Sequence, residues 1–176
     1  MKLLLFIAPA SGWLAVAACF GSTQLEQRTE SFTVFVKGSV AETTPLFGPV
    51  RESEWAPTWK PHFLHPSGGG QAEGVLFTAV SGDGRERLWL MTRFDANAGQ
   101  VDYVFISPGF TAAELKIRVA ADGPDKCKVT VTYRYSALSP QGNQEVAKVN
   151  SDWAEQHRIH WQHGLDTLGE NHVAHE

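Results

Sequence analysis

The stretch 139–168 constrains the fold more than any other, because it is a long amphipathic segment whose apolar side has to be covered. Ser139 followed by Pro140 supplies a helix cap and a proline at the first helical position, and Gly169 supplies a stop. On a helical wheel Val146, Val149, Trp153, His157, His160, Trp161, Gly164 and Leu168 share one side. Glu145, Lys148, Asp152, Glu155, Gln162 and Asp166 share the other. The spacing predicts one helix of about 45 Å at 1.5 Å per residue. A helix of that length cannot bury its apolar face alone, so something wide must wrap it.

Upstream, the period changes from helical to alternating. Phe32, Val34 and Val36 alternate with Thr33, Phe35 and Lys37, giving a first strand from residue 31. Further strands are expected at 73–80, 87–94 and 101–106, with turns at Gly82-Asp83-Gly84 and over 95–99. Leu115, Ile117, Val119 and Ala121 alternate with Lys116, Arg118 and Ala120. After the turn at Asp122-Gly123, Val129, Val131, Tyr133 and Tyr135 alternate with Thr130, Thr132 and Arg134. One face of each strand is apolar and the other soluble, and short turns between consecutive strands make an antiparallel meander. Between the first strand and the meander, Thr43 or Thr44 before Pro45 signals a helix start and Gly48-Pro49 interrupts it, so two short helices are expected. Pro57, Pro61 and Pro66 then favour an extended, irregular path for 55–66, and 67–70 reads as a flexible loop. The predicted class is α+β: a curved antiparallel sheet of six or seven strands around a long C-terminal helix, with two short helices after the first strand.

With 176 residues, 43% of them hydrophobic, one buried core is the default. A formal charge of -4 and an isoelectric point near 6.0, with basic residues scattered along strands, argue against a nucleic-acid or anionic-membrane footprint. Met1-Lys2 followed by an apolar run through Ala18 has the texture of a secretory signal. Ala15-Val16-Ala17 suits plain cleavage, and Val16-Ala17-Ala18-Cys19 resembles a lipoprotein box that would place lipid on Cys19. An uncleaved anchor is the third option, against which Pro9 and Gly12 weigh. The expected organisation is an export signal (1–18), a polar linker (19–30), one domain (31–170) and a tail (171–176). The protein would be exported, either periplasmic or tethered through Cys19, and would meet the membrane only through that signal or lipid. Cys19 and Cys127 are the two cysteines, so there is no disulfide framework, and Cys127 reads as a small packing residue. Oligomeric state is left open by the sequence.

Several stretches, in this order, resemble the START-like, birch-pollen-allergen-like superfamily labelled SRPBCC. Within it they are most similar to bacterial proteins described as polyketide cyclase/dehydrase and lipid-transport-like. The stretches are Pro45-Leu46-Phe47-Gly48-Pro49; Glu54-Trp55-Ala56-Pro57-Thr58-Trp59-Lys60-Pro61-His62-Phe63-Leu64; Glu73-Gly74-Val75-Leu76-Phe77-Thr78; Trp89-Leu90-Met91-Thr92-Arg93-Phe94-Asp95; and 129–139. The likeness covers roughly 31–168. It implies the helix-grip fold, in which the sheet closes around the C-terminal helix and leaves an apolar tunnel or pocket. It also implies binding of a hydrophobic small molecule and, in some relatives, a reaction on it. No catalytic residue carries over, since members use different ones or none. The export signal departs from many relatives.

The sharpest polar pair is His157 and His160, one helical turn apart beside Trp153 and Trp161. They would either project into a pocket as ligand contacts or acid-base groups, or sit at the core edge bonded to Tyr133, Tyr135 or backbone. His163 lies off that face, so a zinc site would need His62 or His65, and neither metal nor cofactor is expected. Glu52 and Glu54 read as solvated surface or a local arginine pair. There is no GxSxG, HExxH, P-loop or dinucleotide fingerprint.

The expected lining of the cavity is Trp59, Phe63, Trp89, Tyr103, Tyr133, Trp153, His157, His160 and Trp161. The function expected is binding of a hydrophobic small molecule, lipid or polyketide-like, between sheet and C-terminal helix. The alternatives are a cyclase or dehydratase using a cavity histidine, and a structural envelope piece with a collapsed cavity.

Overall fold

Alternation along the chain becomes seven strands in the computed structural model, which describes residues 24–173. The strands are β1 (Gln27–Lys37), β2 (His62–His65), β3 (Leu76–Val80), β4 (Glu86–Asp95), β5 (Gln100–Ser107), β6 (Thr111–Ala121) and β7 (Lys126–Ala137). They form one curved sheet in the order β1-β7-β6-β5-β4-β3-β2, every pair antiparallel. Val34, Phe77, Met91, Val101, Phe105, Ile117, Val129 and Val131 all point to the buried face, as a period of two requires. The export signal and Cys19 lie outside the described residues.

β1 begins earlier than its apolar alternation suggests. Gln27 to Glu30 pair with β7 from Ser136 to Tyr133, the Glu26 amide donates to Asn143 Oδ1 at 2.9 Å, and Asn143 Nδ2 donates to the Gln24 carbonyl at 2.9 Å. The supposed linker is therefore part of the domain from residue 24 on. The apolar pattern missed it because an edge strand needs backbone partners rather than greasy side chains. β2 was likewise expected to be irregular, but Pro61 and Pro66 bracket the strand instead of interrupting it. A register shift between Phe63 and His65 marks where β2 bends against β3.

Short helical segments follow β1, as expected, although the start signal lies earlier. Ser39 caps α1 (Val40–Thr43) in a capping box with Glu42, and Thr44–Phe47 and Arg51–Glu54 form single 3-10 turns. Thr43 and Thr44 are buried rather than capping.

The C-terminal segment is two helices, not one: α2 (Pro140–Val146) and α3 (Ser151–Val173). α2 is pinned close to the sheet, since a Cβ on Gly142 would fall 1.9 Å from the Phe110 carbonyl oxygen, and Val146 and Val149 are buried. The chain re-aims after them, and Asn150 starts α3 by accepting from the Trp153 amide at 3.0 Å. Gly169 is not a stop, because α3 runs through it to Val173 and so includes the first residues of the expected tail.

α3 lies along β1. Gln162, placed by the wheel on the wet side, takes both backbone groups of Phe35: its Oε1 accepts from the Phe35 amide at 2.9 Å and its Nε2 donates to the Phe35 carbonyl at 2.9 Å. The open edge of the sheet is thereby satisfied by a side chain. Ala154, Trp161 and Leu165 form the buried stripe of α3, Trp153, His157 and Leu168 are half-buried, and His160 is exposed.

Candidate ligand-binding site

Two regions lie between the sheet and α3. The first is an interior built from aromatic rings. Trp161 stacks on Phe47 at 5.9 Å, meets Trp55 edge-on at 5.1 Å and meets Phe32 edge-on at 5.5 Å. From Phe32 the network continues through Tyr133 (6.4 Å), Phe105 (6.4 Å), Trp89 (4.1 Å) and Phe77 (5.9 Å). Buried aromatic donors hold the 46–49 segment in place beneath it. Trp55 Nε1 donates to the Leu46 carbonyl at 2.7 Å, the Tyr103 hydroxyl to the Phe47 carbonyl at 2.9 Å, and Trp59 Nε1 to the Pro49 carbonyl at 3.0 Å. Gly164 lets α3 approach, since a Cβ there would stand 2.4 Å from the Trp55 carbonyl oxygen.

The second region is an open cavity of about 990 Å³ at the C-terminal half of α3, bounded by the end of β1, α1 and the 3-10 turns. Val36, Leu46, Leu165 and Leu168 give it an apolar floor, and Lys37, Glu42, Arg51, Lys126 and Asp166 surround it. Most of these charges are already engaged. Arg51 forks onto Glu54 with two bonds of 2.9 Å, and Lys126 reaches Asp122 at 3.2 Å and lies over the Phe35 ring at 4.1 Å. Asp166 accepts from Gln162 at 2.9 Å, and Glu42 is held below its ordinary carboxylate range by the Ser39 hydroxyl and amide. The volume is at the upper end of small-molecule sites, roughly 300–1,000 Å³.

Eight of the nine residues expected to line a cavity meet in the ring network or at its ends. Trp59 packs edge-on against Phe77 (5.7 Å) and Trp89 (5.2 Å), and Phe63 covers Phe77 at 5.8 Å. Tyr103 meets Trp89 at 5.8 Å, and Tyr133 meets Trp153 at 5.2 Å and His157 at 6.2 Å. His160 is the exception: it is exposed, because its position on α3 falls beyond the buried stripe set by Trp161 and Leu165. None of the nine lines the 990 Å³ cavity.

His157 is bonded to backbone, not to tyrosine. Its Nδ1 lies 2.8 Å from the Trp153 carbonyl, which can only accept, so Nδ1 carries the proton and Nε2 presents a lone pair. Burial lowers its pKa against the opposing effect of that bond, with the neighbouring His160 adding to the fall.

Glu52, expected at the surface, is half-buried. Arg51 and Glu54, three apart, pair with each other, while Glu52 stands three before the buried Trp55 on the same side of the 3-10 turn. Its carboxyl is pushed up to about 8 by burial, and its charge would act on Tyr103 and Tyr133. Glu52 as a residue is only half-buried while its carboxyl is crowded by protein atoms. The crowding governs desolvation of the charge, and the remaining exposure leaves the group reachable. The i,i+3 spacing from Glu52 to Trp55 was the available signal. Among the described residues no group of three or more His, Cys, Asp or Glu side chains is placed to hold a metal ion.

No protein-family model and no curated protein matches the chain by sequence. Solved structures do match in shape. Norcoclaurine synthase from Thalictrum flavum, in complex with dopamine and hydroxybenzaldehyde, is 13% identical with a TM-score of 0.60, covering 100% of this chain and 98% of that one. A solution structure from Thermobifida fusca is 18% identical with a TM-score of 0.59, covering 81% and 93%. An aromatase/cyclase from a Streptomyces species is 14% identical with a TM-score of 0.58, covering 82% and 93%. Likeness at such low identity speaks to architecture, and the architecture is the helix-grip fold.

Proposed function

We propose that the protein holds a hydrophobic small molecule, lipid or polyketide-like, between the sheet and α3. The observation that carries this reading is the 990 Å³ cavity with its floor of Val36, Leu46, Leu165 and Leu168. Each 100 Å² of apolar ligand surface moved onto that floor contributes about 2.5 kcal/mol. The rim charges, most of them engaged by neighbouring side chains, would orient a polar end rather than supply affinity. The structural neighbours, one solved with dopamine and hydroxybenzaldehyde and another an aromatase/cyclase, support a small organic guest. Native mass spectrometry of the purified protein tests for a co-purifying guest, and titration with a fluorescent fatty acid tests the place. Leu168→Glu is expected to weaken that probe at least tenfold, and unchanged binding would overturn the assignment to this cavity.

A second reading, an acid-base enzyme, is favoured by His157, whose Nε2 carries a lone pair and whose ring lies 6.2 Å from that of Tyr133. Under it, His157→Gln would retain the guest found by mass spectrometry but stop its conversion. A pure binder would lose neither. The export reading of 1–18 adds that the protein works outside the cytosol, plainly cleaved or tethered by lipid at Cys19. Labelling with radioactive palmitate, lost in Cys19→Ser, would separate the two.

A further inference from the structure

The charges that border the outer cavity are not all accounted for. Those on the lining are Lys37, Glu42, Arg51, Lys126 and Asp166. Glu42 accepts from the Ser39 amide at 3.0 Å and from the Ser39 hydroxyl at 2.7 Å. Arg51, Lys126 and Asp166 are held by Glu54, Asp122 and Gln162. Lys37 forms no ion pair and no side-chain hydrogen bond among the described residues. It also stands directly opposite Lys126 across β1 and β7, and like charges so placed weaken a strand pair. The lining charge left over is therefore a cation, set beside a second cation.

A polar atom is left over on the same lining. The hydroxyl of Thr43, a residue 1% exposed, is buried and has no hydrogen-bond partner. Buried groups in that condition are rare and call for an explanation such as a ligand or ordered water. Gly38, the residue after Lys37, leaves a notch beside this hydroxyl: an atom at its missing Cβ position would stand 3.6 Å from Thr43 Oγ1. The corner lies away from the aromatic network. Val34, Val36 and Cys127 take the inner face of the sheet, so Lys37 and Lys126, which alternate with them, belong to the other face at the end of β1.

We propose that this corner is a carboxylate subsite: the outer cavity takes a long-chain carboxylic acid as its anion, with the Thr43 hydroxyl and the Lys37 ammonium donating to the head group and Lys126 adding to the positive field. The inference rests on the reading of that cavity as the place of a hydrophobic guest, and adds which head the guest carries. The floor of Val36, Leu46, Leu165 and Leu168 is aliphatic throughout, which suits a flexible chain rather than a flat ring. Hydrogen bonds to an ionised acceptor are the stronger kind, so the head selects for charge while the floor selects for length. A buried hydroxyl that gains its partner only from the guest discriminates further against a guest with no acceptor to offer.

The test titrates the whole protein, near neutral pH, with cis-parinaric acid and with its methyl ester, which share one chain and differ in the charge of the head. Both brighten on leaving water. The wild type is expected to bind the acid about tenfold more tightly than the ester, or better. Lys37→Gln and Thr43→Val should each weaken the acid about fivefold and leave the ester unchanged, and Thr43→Ser, which keeps a hydroxyl, should retain the preference. Lys116→Gln removes the same charge from β6, outside the cavity lining, and should change neither probe. Leu168→Glu, read with the neutral ester, reports on the cavity itself and should weaken it. An ester that is lost in Leu168→Glu while the wild type shows no preference for the acid would overturn the carboxylate subsite and leave the cavity reading standing. A preference untouched by Lys37→Gln and Thr43→Val, or lowered as much by Lys116→Gln as by Lys37→Gln, would overturn it as well. An ester indifferent to Leu168→Glu would overturn the cavity reading and this inference with it. Circular dichroism of every variant confirms that the fold is retained.

Discussion

The interior and the outer cavity are lined by the same helix and differ in how their polar groups are treated. In the outer cavity nearly every charge has a partner: Arg51 has Glu54, Lys126 has Asp122, Asp166 has Gln162. In the interior the rings are packed against one another and Trp89 Nε1 is left without a partner, while at the outer cavity the buried atom so left is the hydroxyl of Thr43. Water can complete a surface group at little cost, so rim charges are free to pair or not. A buried donor has no such recourse, and each one left unmet weighs against folding by about 1–3 kcal/mol.

If the interior is the packed region, its rings should dominate stability. Trp161→Ala removes contacts with Phe32, Phe47 and Trp55 at once and is expected to cost about 3–5 kcal/mol by urea denaturation. A cost below about 1 kcal/mol would mean that these rings do not form the core. Gly164→Ala should destabilise by about 1–3 kcal/mol despite the better helix propensity of alanine, because the new methyl meets the Trp55 backbone.

The Glu52 carboxyl gives a signed pH effect. Its folded pKa, about 8, lies above the unfolded value of 4.5. Between those two values the unfolded chain has released the proton and the folded chain has kept it, so stability falls as pH rises. The slope is at most about 1.4 kcal/mol per pH unit and ends above the folded pKa. Urea midpoints from pH 5 to 9 should show this slope in the wild type and lack it in Glu52→Gln. His157 has the opposite sign: its lowered folded pKa means that stability is lost as pH falls below 6.5. Smallest of all, Leu168→Ala should cost under about 1 kcal/mol, since Leu168 is half-buried beside the open cavity. A cost matching that of Trp161→Ala would erase the distinction between the two regions.

Much of the architecture was legible because burial writes itself into periodicity. Val129, Val131 and Tyr133 had to share a face, and so did Trp153, His157 and Trp161. What escaped was whatever depends on backbone pairing or on a single turn. Gln27 to Glu30 are polar and still form an edge strand, because β7 offers them hydrogen bonds. His160 belongs to the apolar side of an idealised wheel, but the break at 147–150 lets α3 settle with Trp161 and Leu165 inward instead. Glu52 looked like a surface acid beside Glu54, yet in the 3-10 turn it is half-buried where Glu54 is exposed.

The sequence by itself determined the class of fold, the direction of the strands and the aromatic character of the space beneath the helix, since each follows from local patterns of apolar and polar residues. Tertiary structure alone decided where the open cavity lies and which polar groups reach the interior. Those outcomes depend on how Gly142, Asn150 and Gly164 set the helices against the sheet, through contacts between residues far apart in the chain.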